Sequence, residues 1–477
     1  MPFPAAADEA SWPPGTLAGT TLPVSRPSPE RDLAFGRARA AFGLETAPRL
    51  FSAVPESGAA DPGTAAGFAP EELPGITGSA VEMLIITTAP LEADFQVLAD
   101  WKTRKGVPTV VRTMAWIDAN YPTGHDRPER VRDFLRDAYD KWGTYLVLLG
   151  GDAEQIPARE ALSRFNFAVT GGEVIPTDQY YACLEGNWNA DGDADFGEAL
   201  YLGDPGDAPD MLPDVFVGRA PVETSAEAQT FVQKSLSYDR TPPAGYVETA
   251  SFLAEVLEPA FWECPDSTSA ILNDGRDAAE SLRALLPPTW TVAGRYQSGC
   301  DLDRGIALAE FAAAPHLMAV IGHGDAFKLS VGNGATPFVF QADVGTFTNA
   351  PRYSFLYTVS CNTNQLDVEC QGETFMNLPG GGAIAVVSAT RGDYPGPSET
   401  LRGDMLRLAF QHGITRFGAM TQLMRVPSVG KAGTDHLAFH WTHLTTMLFG
   451  DPEIRLWTRE PAPLSVAHAS EWDLGSG

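Results

Sequence analysis

Basic residues are scarce in this chain: 33 Lys and Arg stand against 61 Asp and Glu, a formal net charge of −28 over 477 residues. A surface this acidic repels phosphate backbones and anionic lipid, which excludes nucleic acid and membrane surfaces as partners. It favours cations, either basic peptides or metal ions, although adaptation to a salty milieu accounts for such a charge equally well. No run of 18 apolar residues occurs, so no helix of this sequence is expected to span a membrane. Cysteine is sparse too. Cys183, Cys264, Cys300, Cys361 and Cys370 are odd in number, widely spaced and without a CxxC pair. That argues against a disulfide framework or a structural zinc site, and it leaves at least one thiol free unless it pairs between chains. "LLGGDAEQIP" lacks both the Lys-Ser/Thr of a P-loop and the GxGxxG of a dinucleotide site, which sets nucleotide binding aside. The opening "MPFPAAADEASWPPGTLAG" has neither the basic nor the apolar region of a signal peptide, and the default expectation is a cytoplasmic protein.

Core-forming residues, in contrast, are plentiful. With 44% hydrophobic residues, including 10 Trp and 25 Phe, the chain can bury two or three domains. Residues 1–80 are rich in Pro, Ala and Gly and read as an extension, either an inhibitory pro-segment removed by autoprocessing or a linker. From 81 to 242, apolar strands alternate with amphipathic helices: "EMLIITTAP", "LEADFQVLADWKTRKG", "PTVVRTM", "RPERVRDFLRDAYDKWG", "TYLVLLGGD". "PDVFVGRAPV" follows and leads to a helix that Thr224 and Glu227 open with a capping-box pattern. A second unit, 243–460, repeats the alternation through "YVETASFLAEV", "DAAESLRALL", "HLMAVIGHG", "YSFLYTVSC" and "GAIAVVSAT", and "THLTTMLFGDPEIRLWT" is expected to close it as a helix. Residues 461–477 read as a tail. Nearly all-apolar strands separated by helices predict an α/β fold with a mostly parallel sheet covered on both faces.

Two strands of the second unit end in reactive groups. "HLMAVIGHGD" delivers His323 between two glycines, and "YSFLYTVSC" delivers Cys361 where an apolar run breaks into Asn, Thr, Asn and Gln. Chemistry in open parallel sheets gathers at the carboxyl ends of strands. If these strands are neighbours, the imidazole can take the thiol proton, and the Gly324 and Cys361 N–H groups can form an oxyanion hole. Taken singly, a cysteine at a strand end is commonly a core filler and a histidine in a glycine turn is commonly structural.

"LMAVIGHGD", "YTVSCNTNQLD", "CQGETFMNLPGGGAIAVVSATR" and "LFGDPEIRLWT" occur in the order and spacing of the gingipain-like cysteine peptidases, which have a caspase-like fold. "MLIITTAPLEADFQVLADWKTRKGVPT", "YLVLLGGDAEQIPAR", "TDQYYACLEG" and "PDVFVGRAPV" resemble that family's non-catalytic subdomain, so the resemblance covers roughly residues 82 to 458. It implies two tandem caspase-like α/β subdomains, a protein or peptide substrate, Cys361 as nucleophile and His323 as general base. It also implies an acidic residue orienting the histidine, for which Asp266 or Glu263 stands in place. A carboxylate for a basic P1 side chain could come from Asp274 or Asp277, though both also suit the first turn of a helix. The alternative from another class is a catalytically silent scaffold or binding protein, which predicts loss of Cys361 or His323; both are present.

A separate pattern, "NWNADGDADFGE", fits the calcium-loop spacing with Asn187 in place of the first Asp. Asn187, Asn189 and Asp191 occupy positions 1, 3 and 5, Asp193 offers its carbonyl at position 7, and Glu198 closes the loop at position 12. Structural Ca2+ is the expectation, and a solvated acidic turn is the other reading of the same residues.

Overall fold

The computed structural model describes residues 36–37, 68–165, 172–199, 205–265, 267–432 and 437–461; most of the N-terminal extension and of the tail, and Asp266, lie outside them. The first strand, β1 (Met83–Thr87), shows why the apolar runs are continuous. Met83 and Ile85 face one core while Leu84 and Ile86 face the other, because strand side chains alternate and helices cover both faces. Parallel to β1 lie β2 (Thr109–Thr113) and β3 (Leu146–Gly150), and β4 (Phe216–Ala220) pairs parallel with β3. Around them run α1 (Glu92–Arg104), α2 (Arg127–Trp142) and α3 (Ser225–Arg240). Asp126 caps α2 by accepting the Glu129 N–H, and Gly143 stops it in the left-handed region. Thr224 and Glu227 form the capping box expected at the start of α3.

The second half contributes β5 (Thr249–Ala254), β6 (Thr291–Tyr296), β7 (Leu317–Ile321), β8 (Ser354–Val359) and β9 (Ala383–Ala389). Its helices include α4 (Gly275–Arg283), α5 (Arg304–Ala313), α6 (Gln371–Asn377), α7 (Pro395–His412) and α8 (Leu437–Thr445). The last strand, β10 (Thr446–Gly450), is antiparallel to β9 and parallel to β4, where Phe449 sits opposite Arg219. The result is one ten-stranded sheet in the order β6-β5-β7-β8-β9-β10-β4-β3-β1-β2. The two units read in tandem are thus halves of a single sheet, and one buried apolar cluster runs from Phe95 and Phe231 through Phe252 and Phe355 to Leu401. The stretch expected as a closing helix is helical only to Thr445. "TMLFG" is a strand, since a short apolar run has no period that separates helix from buried strand.

His316, just before β7, is fully buried. Its Nδ1–H donates to the Val247 carbonyl (2.9 Å) and its Nε2 accepts the Tyr238 hydroxyl (2.7 Å). Burial pushes its pKa from 6.5 down to about 4. The folded value lies below the unfolded one, so the stabilisation is complete above pH 6.5 and is lost as pH falls towards 4. Between pH 7 and 4.5, urea unfolding of the wild type should lose roughly 2–3 kcal/mol more than that of His316→Leu. Equal losses in the two proteins would remove His316 as the source.

Candidate active site

Three neighbouring strand ends build the site. β7 lies between β5 and β8, with Ala254 opposite Ile321 and Ile321 opposite Val359. The Glu255 N–H donates to the Ile321 carbonyl (2.9 Å) and the Gly322 N–H to the Val359 carbonyl (3.0 Å), which extends both ladders past the strands. Glu255 therefore stands one residue beyond β5, while His323 and Cys361 each stand two residues beyond paired positions of β7 and β8. The strands expected to be neighbours are neighbours, and the register puts thiol and imidazole at the same edge of the sheet.

His323 is exposed, yet it is held at several points. Its Nε2 lies 2.9 Å from the Leu257 carbonyl. A carbonyl only accepts, so Nε2 carries the hydrogen and Nδ1 is the basic nitrogen. The His323 backbone N–H donates to Glu255 Oε2 (2.8 Å), and its carbonyl accepts the Ser330 N–H (2.8 Å). The ring nitrogen for which a carboxylate was expected is thus bonded to a main-chain oxygen. Glu263 is exposed and Asp266 lies outside the described residues.

Cys361 is half-buried. Asn362 follows in the left-handed region (φ 58°), a conformation that asparagine tolerates, and turns the chain away from the strand axis. The Asp393 N–H donates to Cys361 Sγ (3.3 Å). Burial raises the thiol pKa, and the Asp393 and Asp325 carboxylates raise it further, so the resting group is a thiol in need of a base. Gly324 packs directly over the preceding residue: a Cβ there would fall 2.2 Å from Ser360 Oγ. Glycine at 324 is a steric requirement of the site.

Sequence reasoning missed Asp393, whose N–H reaches the thiol, and the charged groups around Asp393. Asp393, whose side chain is 1% exposed, faces Arg402 of α7 at 3.9 Å, and Arg402 also donates to the Thr358 carbonyl (3.1 Å) in β8. Glu399, on the same helix, is half-buried and makes no ion pair among the described residues. Burial pushes its carboxyl up to about 7, with the Asp393 and Asp277 carboxylates adding to the rise. Asp274 caps α4 by accepting the Arg276 N–H (3.0 Å), and Asp277 is exposed in that helix's first turn. The signal for Glu255 and Asp393 was available, since each follows the end of an apolar strand just as His323 and Cys361 do.

Beyond β5 and β6, which lie side by side, Cys264 and Cys300 form a disulfide with Cα atoms 5.4 Å apart. Wide sequence spacing hid this pair, because the loops that carry the two cysteines meet only through the parallel pairing of their strands. A disulfide favours an oxidising compartment over the cytoplasm. Cys183, Cys361 and Cys370 are free.

In the acidic loop, Asp191, Asp193 and Glu198 bring carboxylate oxygens within 4.8 Å of one another. Glu198 is fully buried, and its Oε2 has no hydrogen-bond partner; Asn189 Oδ1 is likewise unpartnered. Burial, followed by the nearby Asp207 carboxylate, raises Glu198 to about 7. Asn187 instead spends its Oδ1 on the Asn189 N–H (3.1 Å). Glu198 Oε1 is held by Arg164 (3.3 Å), which leaves Oε2 and Asn189 Oδ1 as the unpartnered oxygens, and oxygen donors of this kind fit a hard cation. No helix of the described residues is long and apolar enough to cross a membrane.

Residues 76–457 match the model of peptidase family C25. Gingipain R2 of Porphyromonas gingivalis is 23% identical over 406 residues, which cover 80% of this chain and 47% of that protein. Gingipain R1 of the same organism is 22% identical over 410 residues, covering 82% and 36%. The chain therefore spans about half the length, or less, of these curated relatives. The crystal structure of the Arg-specific cysteine proteinase gingipain R superposes with a TM-score of 0.61 at 20% identity, over 83% of this chain and 82% of that one. The complex of Porphyromonas gingivalis RgpB pro- and mature domains gives 0.60 at 21%, over 80% and 81%. At such identities the structural likeness shows a shared fold.

Proposed function

Because the chain belongs to peptidase family C25, we propose that it is a cysteine endopeptidase acting through Cys361 and His323. The observation that carries this reading is the parallel register, which sets both residues at one sheet edge with Nε2 of the imidazole occupied and Nδ1 free to take a proton. Nδ1 accepts the thiol proton as Sγ attacks the substrate carbonyl. The Gly324 and Cys361 N–H groups receive the oxyanion, and the Asp393 N–H stabilises the thiolate. The imidazolium then protonates the departing amine, leaving a thioester that water, deprotonated by the same nitrogen, hydrolyses.

A basic P1 side chain, Arg or Lys, suits the carboxylates near the thiol, Asp325 and Asp393, and Glu399 and Asp277 that lie near Asp393. Glu399 supports this because a half-buried carboxylate without a cation partner gains one when a guanidinium or ammonium enters. The structurally similar gingipain R is an Arg-specific proteinase, which points the same way. The test is a fluorogenic peptide panel varied at P1. Wild type should prefer Arg or Lys, and Glu399→Gln should lower kcat/KM for basic P1 by about 10²-fold, mostly through KM. A wild-type preference for apolar P1 would sink this assignment.

Calcium in the 187–198 loop belongs to the same proposal, with Asp191, Asp193 and Glu198 as ligands and Asn187 and Asn189 supplying oxygens after a local turn of their side chains. The ion neutralises a buried acidic cluster and locks the loop. With calcium a hundredfold above its Kd the gain is about 2.7 kcal/mol, so a chelator should lower Tm by about 3 °C. Glu198→Gln should abolish that response, and a chelator effect that survives in the variant would place the ion elsewhere.

A further inference from the structure

We propose that Trp441 is a positioning residue for the Cys361 thiolate: its indole N–H holds the Gly392–Asp393 peptide group so that the amide N–H is aimed at Sγ. The inference rests on the reading of Cys361 as nucleophile. Trp441, on α8, is 1% exposed. A buried indole N–H must find an acceptor, and this one donates to the Gly392 carbonyl (2.6 Å). The Asp393 N–H that reaches Cys361 Sγ (3.3 Å) belongs to the same amide, which is trans. A trans peptide group is planar and points its C=O and N–H in opposite directions, so fixing the oxygen aims the N–H. Donation to the oxygen also polarises the amide and strengthens the bond that its N–H gives.

The indole has little freedom to move. One turn further along α8, the Thr445 carbonyl accepts the Thr390 N–H (2.9 Å), so the helix grips the stretch after β9 at two points. His440, beside Trp441, donates from Nε2 to the Gly197 carbonyl (2.8 Å), which ties the helix to the acidic loop. Tyr394 stands edge-on to the indole, with ring centroids 5.8 Å apart, and Phe165 packs against both rings. The thiol needs the help. Burial raises it, the Asp393 N–H opposes that rise, and the Asp393 and Asp325 carboxylates add to it. Asp325 comes from the hairpin after His323, Asp393 and Tyr394 from the stretch past β9, and His323 from beyond β7. The two carboxylates disfavour a thiolate, whereas the Asp393 N–H and a protonated His323 favour it.

Alkylation of Cys361 by iodoacetamide, followed from about pH 5 to 10 by mass spectrometry of the Cys361 peptide, tests this on the full chain without a known substrate. Trp441→benzothienylalanine keeps the shape of the ring and removes its N–H, whereas Trp441→Phe also leaves a void. Both should lower the rate at neutral pH about fivefold. The difference should close at high pH, where the thiol is ionised in every variant. On the peptide panel the isostere should lose kcat and keep KM. A benzothienylalanine profile superposing on that of the wild type would reduce Trp441 to packing and overturn the proposal, even where Trp441→Phe slows the reaction. His323→Ala tests the underlying reading. If its profile superposes on that of the wild type, thiol and imidazole do not act together, and the positioning role of Trp441 in catalysis falls with that reading.

Discussion

Cys361→Ala is expected to cut peptide cleavage by at least about 10⁴-fold while leaving the fold intact. The two halves of that expectation have separate grounds. Activity goes because no other free cysteine can substitute: Cys183 and Cys370 are buried, and burial pushes both thiols well above their ordinary value. The fold stays because Sγ is half-exposed and accepts one long bond from the Asp393 N–H, while the turn at Asn362 is held by its own N–H to the Arg391 carbonyl (3.0 Å). The check is kcat/KM on the basic-P1 panel beside a denaturant unfolding curve. Cleavage undiminished in the variant would end the thiol mechanism, and a folded wild type that cleaves nothing would favour the silent-scaffold alternative.

The largest loss of stability is expected from Asp178→Ala. Arg219, in the middle of the sheet on β4, is fully buried. It meets Asp178 in a two-pronged pair (Nε–Oδ2 2.8 Å, Nη2–Oδ1 2.6 Å), and its Nη1 donates to the Gly151 and Ile156 carbonyls at 2.9 Å each. Removing the carboxylate strands a guanidinium that water cannot reach, at a cost of about 3–5 kcal/mol. Replacing both partners by apolar residues of similar volume should recover most of that, since burying the pair carries its own desolvation penalty. Guanidinium unfolding of the single and double variants decides the matter. A single variant within about 1 kcal/mol of wild type would mean that water or another anion relieves Arg219.

Much of this architecture is legible in the sequence because parallel strands buried on both faces are written as uninterrupted apolar runs. β1, β3, β7, β8 and β9 are therefore visible at sight, and their ends point to His323 and Cys361. The fusion of the halves is not legible. β10 is five residues hard against a helix, and its neighbours β9 and β4 are remote in sequence, so nothing local says where it inserts. The histidine's ring partner escaped for another reason: the Leu257 carbonyl belongs to the backbone, and side-chain motifs cannot announce a main-chain oxygen. Glu399 escaped because its environment, an uncompensated carboxylate near Asp393 and Asp277, exists only after α4 and α7 are packed. In the acidic loop, the spacing singled out Asp191 and Glu198 by their side chains and Asp193 by its carbonyl; the fold brings all three carboxylates together, but the pattern carries no information on where Asn187 turns its amide.

The late position of β10 has a consequence for how the molecule is made. β4 leaves the ribosome more than two hundred residues before the strand that will cover it. At roughly 5–20 residues per second the nascent chain carries that open edge for roughly ten to forty seconds. Throughout that interval Phe216, Val217 and their neighbours present unpaired main-chain groups to any other extended peptide. The emerging second half gains its own open edge as β9 appears. One five-residue strand, translated after both of its neighbours, closes both edges at once. Expression yield, more than the stability of the finished protein, should therefore be sensitive to changes in Thr446–Gly450 that slow its insertion.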